Sequence, residues 1–395
     1  MHRVGIDRVT LAGAVIGLCS FGLHFAVLRP NRLSSGDGLF VWNALPSSEA
    51  IILVLLWLCA LGAGLLYRKN RPFRLAPGLI GNVVLVLVFL FTAGMATNTT
   101  DPDLPFLRIS IGSGGWIMAF ASYILILSSQ QKLADRGFLR LFVSLSGLTA
   151  IVLLLATGHL SDISVIKEFS ARQGRFLSEL SQHLIIAGAS VGIATIIGTG
   201  LGVWAFRSRI LERPVFFFVN TVQTLPSLAL FGLMIAPLAL LSQRYPVLRD
   251  LGIQGIGWAP ALIALSLYAL LPITRNTYTS LRILDPDVIE AGRGMGMNGL
   301  QVLWRIEIPL SLPIILSGIR TALVQSIGNT TVAALIGAGG LGVFVFQGLG
   351  QAVPDLILLG AIPVIVLSVC TDKLMAILIH QITPKGIALQ EEPAS

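Results

Sequence analysis

Long uninterrupted apolar runs, separated by short polar connections, dominate this chain. Runs able to supply the roughly 20 helical residues that cross a hydrocarbon core begin near residues 10, 49, 77, 109, 139, 183, 215, 256, 308 and 356. They are continuous, unlike the alternating segments of about ten residues that build an outer-membrane barrel. A backbone in lipid finds hydrogen-bond partners only within the protein. The pattern therefore predicts ten transmembrane helices in an all-α, polytopic membrane fold. The first run follows a basic start, as in a signal peptide, but no small-residue cleavage site comes after it, and it reads as a true span.

The punctuation of the runs divides the chain. Residues 1–158 form an N-terminal membrane extension of five spans, with short loops such as RKNRPFR at 68–74 and TDPDLP at 100–105. The polar stretch 159–182 places Ile163, Ile166, Phe169, Phe176, Leu177 and Leu180 near helical spacing. It predicts an amphipathic connector helix on the outer surface, lying at the interface or meeting a partner. Residues 183–380 hold five more spans, and 381–395 a polar tail. This second half puts Pro or paired Gly at membrane depth in TLPSLALFGLMIAPLA (224–239), YALLPIT (268–274) and LIGAGGLG (335–342). Such breaks are tolerated where protein or a watery cavity satisfies the freed backbone, so a translocation path is expected here.

Composition agrees with a membrane protein: 54% of residues are apolar and only 12% charged, with a mean hydropathy of +0.84, far from a soluble domain. If the N-terminus lies inside, eighteen of the 27 Lys and Arg residues fall in inner connections and eight in outer ones. The positive-inside rule then puts both termini in the cytoplasm. It also accounts for the +8 net charge, whose cations are spread over short loops, so nucleic acid is not an expected partner. Cys19, Cys59 and Cys370 all sit within apolar runs and the five His residues are scattered, so no metal site is visible. No G-x-x-x-x-G-K-[ST] occurs, and no Ser/His/Asp or paired-carboxylate arrangement appears in a loop. The chain reads as a non-enzyme without a cofactor; any ATP it uses is bound by another polypeptide.

One polar stretch stands out, EAGRGMGMNGLQVLWRIEIP at 290–309. Asp285 is suited to cap a helix with Pro286 in its first turn and Asp287 near its positive end. Asn298 can cap a second helix, with Gln301 completing a capping box. Between them Gly294 and Gly296 permit a sharp turn. The spacing predicts a helix, elbow, helix device over 286–307, with Met295, Met297 and Leu300 as adaptable apolar contacts for a partner's groove. Here the chain resembles the permease subunits of ABC importers. Their cytoplasmic signature is Glu-Ala-Ala, three residues, Gly, nine residues, Ile, any residue, then Leu-Pro. Glu290, Ala291, Gly292, Gly296, Ile306, Ile308 and Pro309 fall at matching positions; Gly292 replaces the second Ala and Ile308 the Leu. The resemblance implies a type I importer core whose coupling helix docks on a cytoplasmic ABC ATPase through Glu290, Ala291, Gly292, Gly296, Ile306 and Pro309.

A wider likeness is carried by NRLSSGDG (31–38), RISIGSGGW (108–116), DISVIKEFSARQ (162–173), NTVQTLPSLALFGLMIAPLA (220–239) and ALIGAGGLGVFVFQGL (334–349). These resemble the permeases of Yeh-type osmoprotectant uptake, within the glycine betaine, carnitine and choline transporter family, which add an N-terminal extension to a five-span core. The resemblance implies a small-molecule osmolyte as substrate, a periplasmic solute-binding protein and a second permease subunit as partners, and a bacterial inner membrane as location. Polar residues inside spans usually face an interior. Gln223, Thr224 and Ser227 around Pro226, and Gln325, Asn329 and Thr330 with Ser326 and Thr331, are candidates for the path, helix-to-helix hydrogen bonding being the alternative. GAGGLG at 337–342 fits a dinucleotide fingerprint only as a string, because it follows an apolar helix rather than a strand. Gly337, Gly339, Gly340 and Phe344 read instead as an outer gate or as close helix packing. Arg320, costly at a helix centre, should face protein or water. Tyr268, Trp258 and Phe344 offer weak aromatic faces to a quaternary ammonium. Two rivals stand beside this reading, an ion-coupled secondary transporter and a non-conducting membrane subunit.

Overall fold

Apolar stretches of the sequence are helical, and helices end where proline, glycine and polar residues gather. The computed structural model describes residues 5–66, 71–99, 106–134 and 136–383. Arg3, Arg68, Lys69 and Lys385, the loop at 100–105 and the tail from residue 384 lie outside the described residues. The chain divides into two units, Met1–Ala171 with Gln351–Asp355, and Arg172–Gly350 with Leu356–Ser395.

The first unit contains α1 (Arg8–Cys19), β1 (Ala26–Arg29), β2 (Asp37–Leu39), α2 (Val41–Ala44), α3 (Ser47–Leu65), α4 (Arg71–Asn98), β3 (Arg108–Ile111), α5 (Ser113–Lys132), α6 (Gly137–Ala156) and α7 (Ser164–Ala171). Its core holds the fully buried Phe25, Leu53, Trp57, Met118 and Leu125. Polar ties pin the helices where lipid offers no partner. The buried Asn82 donates from Nδ2 to the carbonyls of Gly78 (2.9 Å) and Val143 (2.8 Å), and its Oδ1 accepts from Gly147 N–H (3.0 Å), joining α4 to α6. Asp7 caps α1 and pairs with Lys132 at the end of α5.

An all-helical expectation misses one element. The strands form an antiparallel sheet of order β2-β1-β3, with Ala26 opposite both Leu39 and Ile111, and Arg29 opposite Arg108. The run expected to open a helix near residue 109 thus begins as a strand, and its helix starts at Ser113. The β1–β2 connection turns at Asn31, whose Oδ1 accepts from the N–H groups of Leu33 and Ser34, both at 2.9 Å. The segment 351–355 is bound here by the Asp355 carboxylate and by Gln351, whose Oε1 accepts from Arg32 of the β1–β2 connection at 2.8 Å. Asp355, 4% exposed, accepts at Oδ2 from Arg29 (3.2 Å), Ser110 (2.6 Å) and Ser164 (2.9 Å).

The second unit contains α8 (Gln173–Arg207), α9 (Arg209–Thr224), α10 (Ser227–Arg244), α11 (Pro246–Asp250), α12 (Trp258–Arg282), α13 (Pro286–Gly294), α14 (Gly299–Val302), α15 (Ile308–Ala333), and, apart from the residues 351–355 that belong to the first unit, α16 (Gly342–Gln351) and α17 (Pro354–Ile382). The stretch 159–182 holds α7 and the first turns of α8. Helix α12 is the centre of the unit, with 56% of its most apolar window buried, whereas α17 buries none of its own. Phe231, Leu265 and Ile273 fill the interior.

Eight described helices are long and apolar enough to cross a membrane: α3, α4, α6, α8, α10, α12, α15 with its flanking turns, and α17. Ten were expected. The run near residue 10 yields a helix of only 12 residues, and α5 carries serines and glutamines that dilute its hydropathy. The single span expected from residue 215 is two helices. Pro226 has no N–H to donate and holds Leu225 extended (φ −69°, ψ 134°), so α9 ends at Thr224 and α10 begins at Ser227.

Candidate coupling site and translocation core

The device over 286–307 is built from local signals. The Asp285 carboxylate accepts from Asp287 N–H at 2.9 Å and Pro286 opens α13. The chain then turns at Gly296, whose φ of +82° is left-handed and suits glycine. Asn298 and Gln301 form a reciprocal capping box, with bonds of 2.9 and 2.8 Å, at the start of α14. Leu303–Glu307 then form one π-helical turn before α15 begins.

Of the residues expected to carry coupling, Glu290, Ala291, Gly296 and Pro309 are exposed, Ile306 is half-buried and Gly292 is buried. A Cβ on Gly292 would run into Ile306 Cδ1, with Met297 Sδ at 3.7 Å. Glycine therefore lets the Ile306 side chain pack against α13; an alanine there would displace only the end of that flexible side chain. Around the elbow Ile283, Met295, Leu300 and Trp304 are each more than 60% exposed. That is a large apolar area for a loop that carries Asp285, Asp287, Glu290 and Arg293. Sequence reasoning missed Glu307. Its side chain is 1% exposed and accepts from Arg207, the last residue of α8, at 2.5 Å.

The residues expected to line a path are only partly brought together. Gln325 and Asn329 line a narrow seam with Leu265, Tyr268, Ala269, Ala322 and Ser326. The buried Thr330 hydroxyl turns back to Ser326 O (2.7 Å). Gln223, Thr224 and Ser227 do not reach the seam. They flank the α9–α10 break, where Tyr268 Oη donates to Leu225 O at 2.6 Å and holds the broken backbone. Tyr268 is thus a backbone clamp. Trp258 is partly exposed at the start of α12. Arg320 forms a bidentate pair with Asp372 of α17 (2.6 and 2.7 Å), an acidic partner inside a span.

At the glycine loop, Gly337, Gly339 and Gly340 all have φ between +76° and +86°. Phe344 is fully buried, with its ring 6.0 Å from that of Phe176 and the Arg175 guanidinium 5.8 Å above it. Two residues of α8 that sequence reasoning passed over clasp the loop. Glu179 Oε2 accepts from Gly340 N–H (2.8 Å) and His183 Nδ1 accepts from Leu341 N–H (3.3 Å). His183 is completely buried and its Nε2 donates to Ile327 O (3.0 Å), so the ring is the neutral Nε2–H tautomer.

Residues 171–383 match the family described as binding-protein-dependent transport system inner membrane component. The chain belongs to that family. Residues 3–166 match a second family, the N-terminal domain of the ABC transporter permease YehY. This inner membrane component is 44% identical over 213 residues to the osmoprotectant import permease protein OsmW of Salmonella typhimurium, covering 54% of this chain and 94% of that one. It is 39% identical to the glycine betaine/carnitine/choline transport system permease protein OpuCB of Bacillus subtilis, over 55% of this chain and 94% of the relative. It is 34% identical to the choline transport system permease protein OpuBB of the same organism, over 58% and 98%. These alignments nearly exhaust the relatives, so this multi-pass inner membrane component carries a region for which they have no counterpart.

Proposed function

We propose that this chain is the permease subunit of an ATP-driven importer of osmoprotectants of the quaternary-amine class, glycine betaine, carnitine or choline. It lies in a bacterial inner membrane with both termini in the cytoplasm. A separate ATPase seats on the elbow at 286–307, a periplasmic binding protein delivers the solute, and a second permease subunit, identical or different, completes the path. The observation that carries this reading is the exposed apolar elbow itself, capped at both helices and turned at Gly296, in a chain of the binding-protein-dependent family. ATP binding by the partner shifts the core between inward-open and outward-open states by pulling on that elbow. The solute passes by way of the α9–α10 break and the seam at Gln325 and Asn329, with the glycine loop as outer gate. Affinity for the quaternary ammonium resides mainly in the binding protein, because a conducting site must also release its cargo.

Reconstitution tests this reading. Vesicles holding the chain with its ATPase and binding protein should take up labelled betaine, choline or carnitine only with ATP inside, and omission of either partner should abolish uptake. Uptake driven by an ion gradient without the ATPase would overturn it.

A further inference from the structure

The elbow and the glycine loop, joined along the chain by α15, are also held by opposite ends of a second helix. Helix α8 has 35 residues and so extends about 52 Å at 1.5 Å per residue. At its C-terminal end Arg207 Nη2 donates to Glu307 Oε2 at 2.5 Å. At its N-terminal end Glu179 and His183 accept from the backbone of Gly340 and Leu341. Each attachment is polar and directional, so neither can slide as an apolar contact does.

The Glu307 side of the first attachment joins the elbow by close contact. Ile306 fills the space in front of Gly292 of α13, and Glu307 closes the π-helical turn Leu303–Glu307. A π-helical turn holds one residue more than an α-helical turn and occurs often at functional sites. The turn offers a place for α14 to shift against α15 while α15 stays intact. The other Glu307 oxygen, Oε1, is buried without a hydrogen-bond partner. A half-satisfied buried carboxylate is a poor stabiliser compared with an apolar residue of its size, so its presence here is better explained by position than by stability.

We infer that Arg207 and Glu307 are a positioning pair through which movement of the α13–α14 elbow reaches α8, and that α8 carries it as a rod to the glycine loop clasped at its other end. This rests on the proposed seating of an ATPase on the elbow.

The test uses the full chain reconstituted with its ATPase and binding protein, and reads three things: ATPase co-purifying with the chain, ATP hydrolysed, and solute taken up per ATP. Glu307→Gln, which keeps the shape and removes the charge, should leave ATPase retention and hydrolysis in place while uptake per ATP falls about tenfold. Arg207→Met should do the same from the more exposed partner, and it reads the pair should Glu307→Gln not fold. Glu179→Gln should reproduce the loss from the far end of α8. Exchanging the charges, Arg207→Glu with Glu307→Arg, should recover a substantial part of the coupling that either reversal alone destroys; a mere loss of packing would not be rescued. Unchanged uptake per ATP in both Glu307→Gln and Arg207→Met overturns the inference, and so does loss of ATPase retention in either, since the pair then only shapes the elbow. Failure of the unmodified chain to retain its ATPase is a different result and sinks the functional proposal itself.

Discussion

Alanine at Gly342 and at Gly337 should fail for different reasons, and the difference is measurable. A Cβ at Gly342 would fall on the carbonyl oxygen of Thr331 and lie 2.7 Å from its carbon and 2.9 Å from its Cα. All three are backbone atoms of α15, so no rotamer change relieves them. Relieving the carbon alone to ordinary contact at 3.4 Å would take a retreat of 0.7 Å (3.4 less 2.7) by the start of α16, and the carbonyl oxygen, nearer still, demands more. Overpacking of this kind costs about 1–3 kcal/mol and more when only backbone can move; about 3 kcal/mol is expected here. At Gly337 the nearest atom to such a Cβ is 4.0 Å away, but φ is +77°. The cost there is the left-handed conformation alone, roughly 1–2 kcal/mol for alanine. Asparagine, which tolerates that conformation, should recover most of the loss at 337 and none at 342. Thermal unfolding of the purified full chain in one detergent, with the four single variants side by side, gives the ranking. A Gly342→Ala midpoint equal to that of the unmodified chain would refute the close-approach reasoning. Asparagine as harmful as alanine at 337 would refute the conformational one.

Three further outcomes are expected. Gly296→Trp places a large side chain on the open outer side of the elbow, where nothing lies within 4 Å but the left-handed φ of +82° strains any L side chain; the spans should fold while the proposed ATPase is released in co-purification, more so than in Gly296→Ala, which carries the same strain without the bulk, and intact docking with normal uptake would remove the elbow from the mechanism. Asp355→Asn leaves the Arg29 guanidinium without its buried counter-charge and should destabilise the first unit by about 3–5 kcal/mol. A double-mutant cycle with Arg29→Met should return a large coupling energy, and additive losses would show that the pair does not matter. Burial pushes the Asp7 carboxyl up, but the Lys132 ammonium and Thr10 outweigh it and hold the group below its ordinary value of 3.8. The folded state therefore binds this proton less readily than the unfolded chain, and the stabilisation is fully present above pH 3.8 and lost as pH falls through the lower folded value. Acid unfolding should show this loss in the unmodified chain and less of it in Asp7→Asn; identical pH profiles would contradict the assignment.

What could be read from the sequence was local. Asp285, Pro286, Asn298 and Gln301 announce two short helices because each acts within three residues of itself; of the prolines expected to break spans only Pro226 does so, by holding Leu225 extended, whereas Pro237 and Pro272 lie inside the continuous helices α10 and α12. The contacts that tie these parts together were not legible. Glu307 meets Arg207 from 100 residues away and His183 reaches Leu341 across 158; no period or spacing records such pairs. The sheet escaped notice because its strands are three or four residues long, too short for alternation to show, and because β3 arrives from beyond two long helices. Arg320 was legible as a group needing company, but nothing before the fold pointed to Asp372. Apolar runs gave the helices but not their limits, since hydropathy alone does not see that the run near residue 109 starts in a strand.

Five residues, Gln351–Asp355, are numbered among the last but folded among the first. Cutting away the leading 171 positions would thus not lift out a unit whole. It would leave an acid at the head of the final helix stripped of its guanidinium and of both hydroxyls that now surround it. Anyone trimming this chain to the length of its shorter relatives must rewrite position 355 in the same stroke.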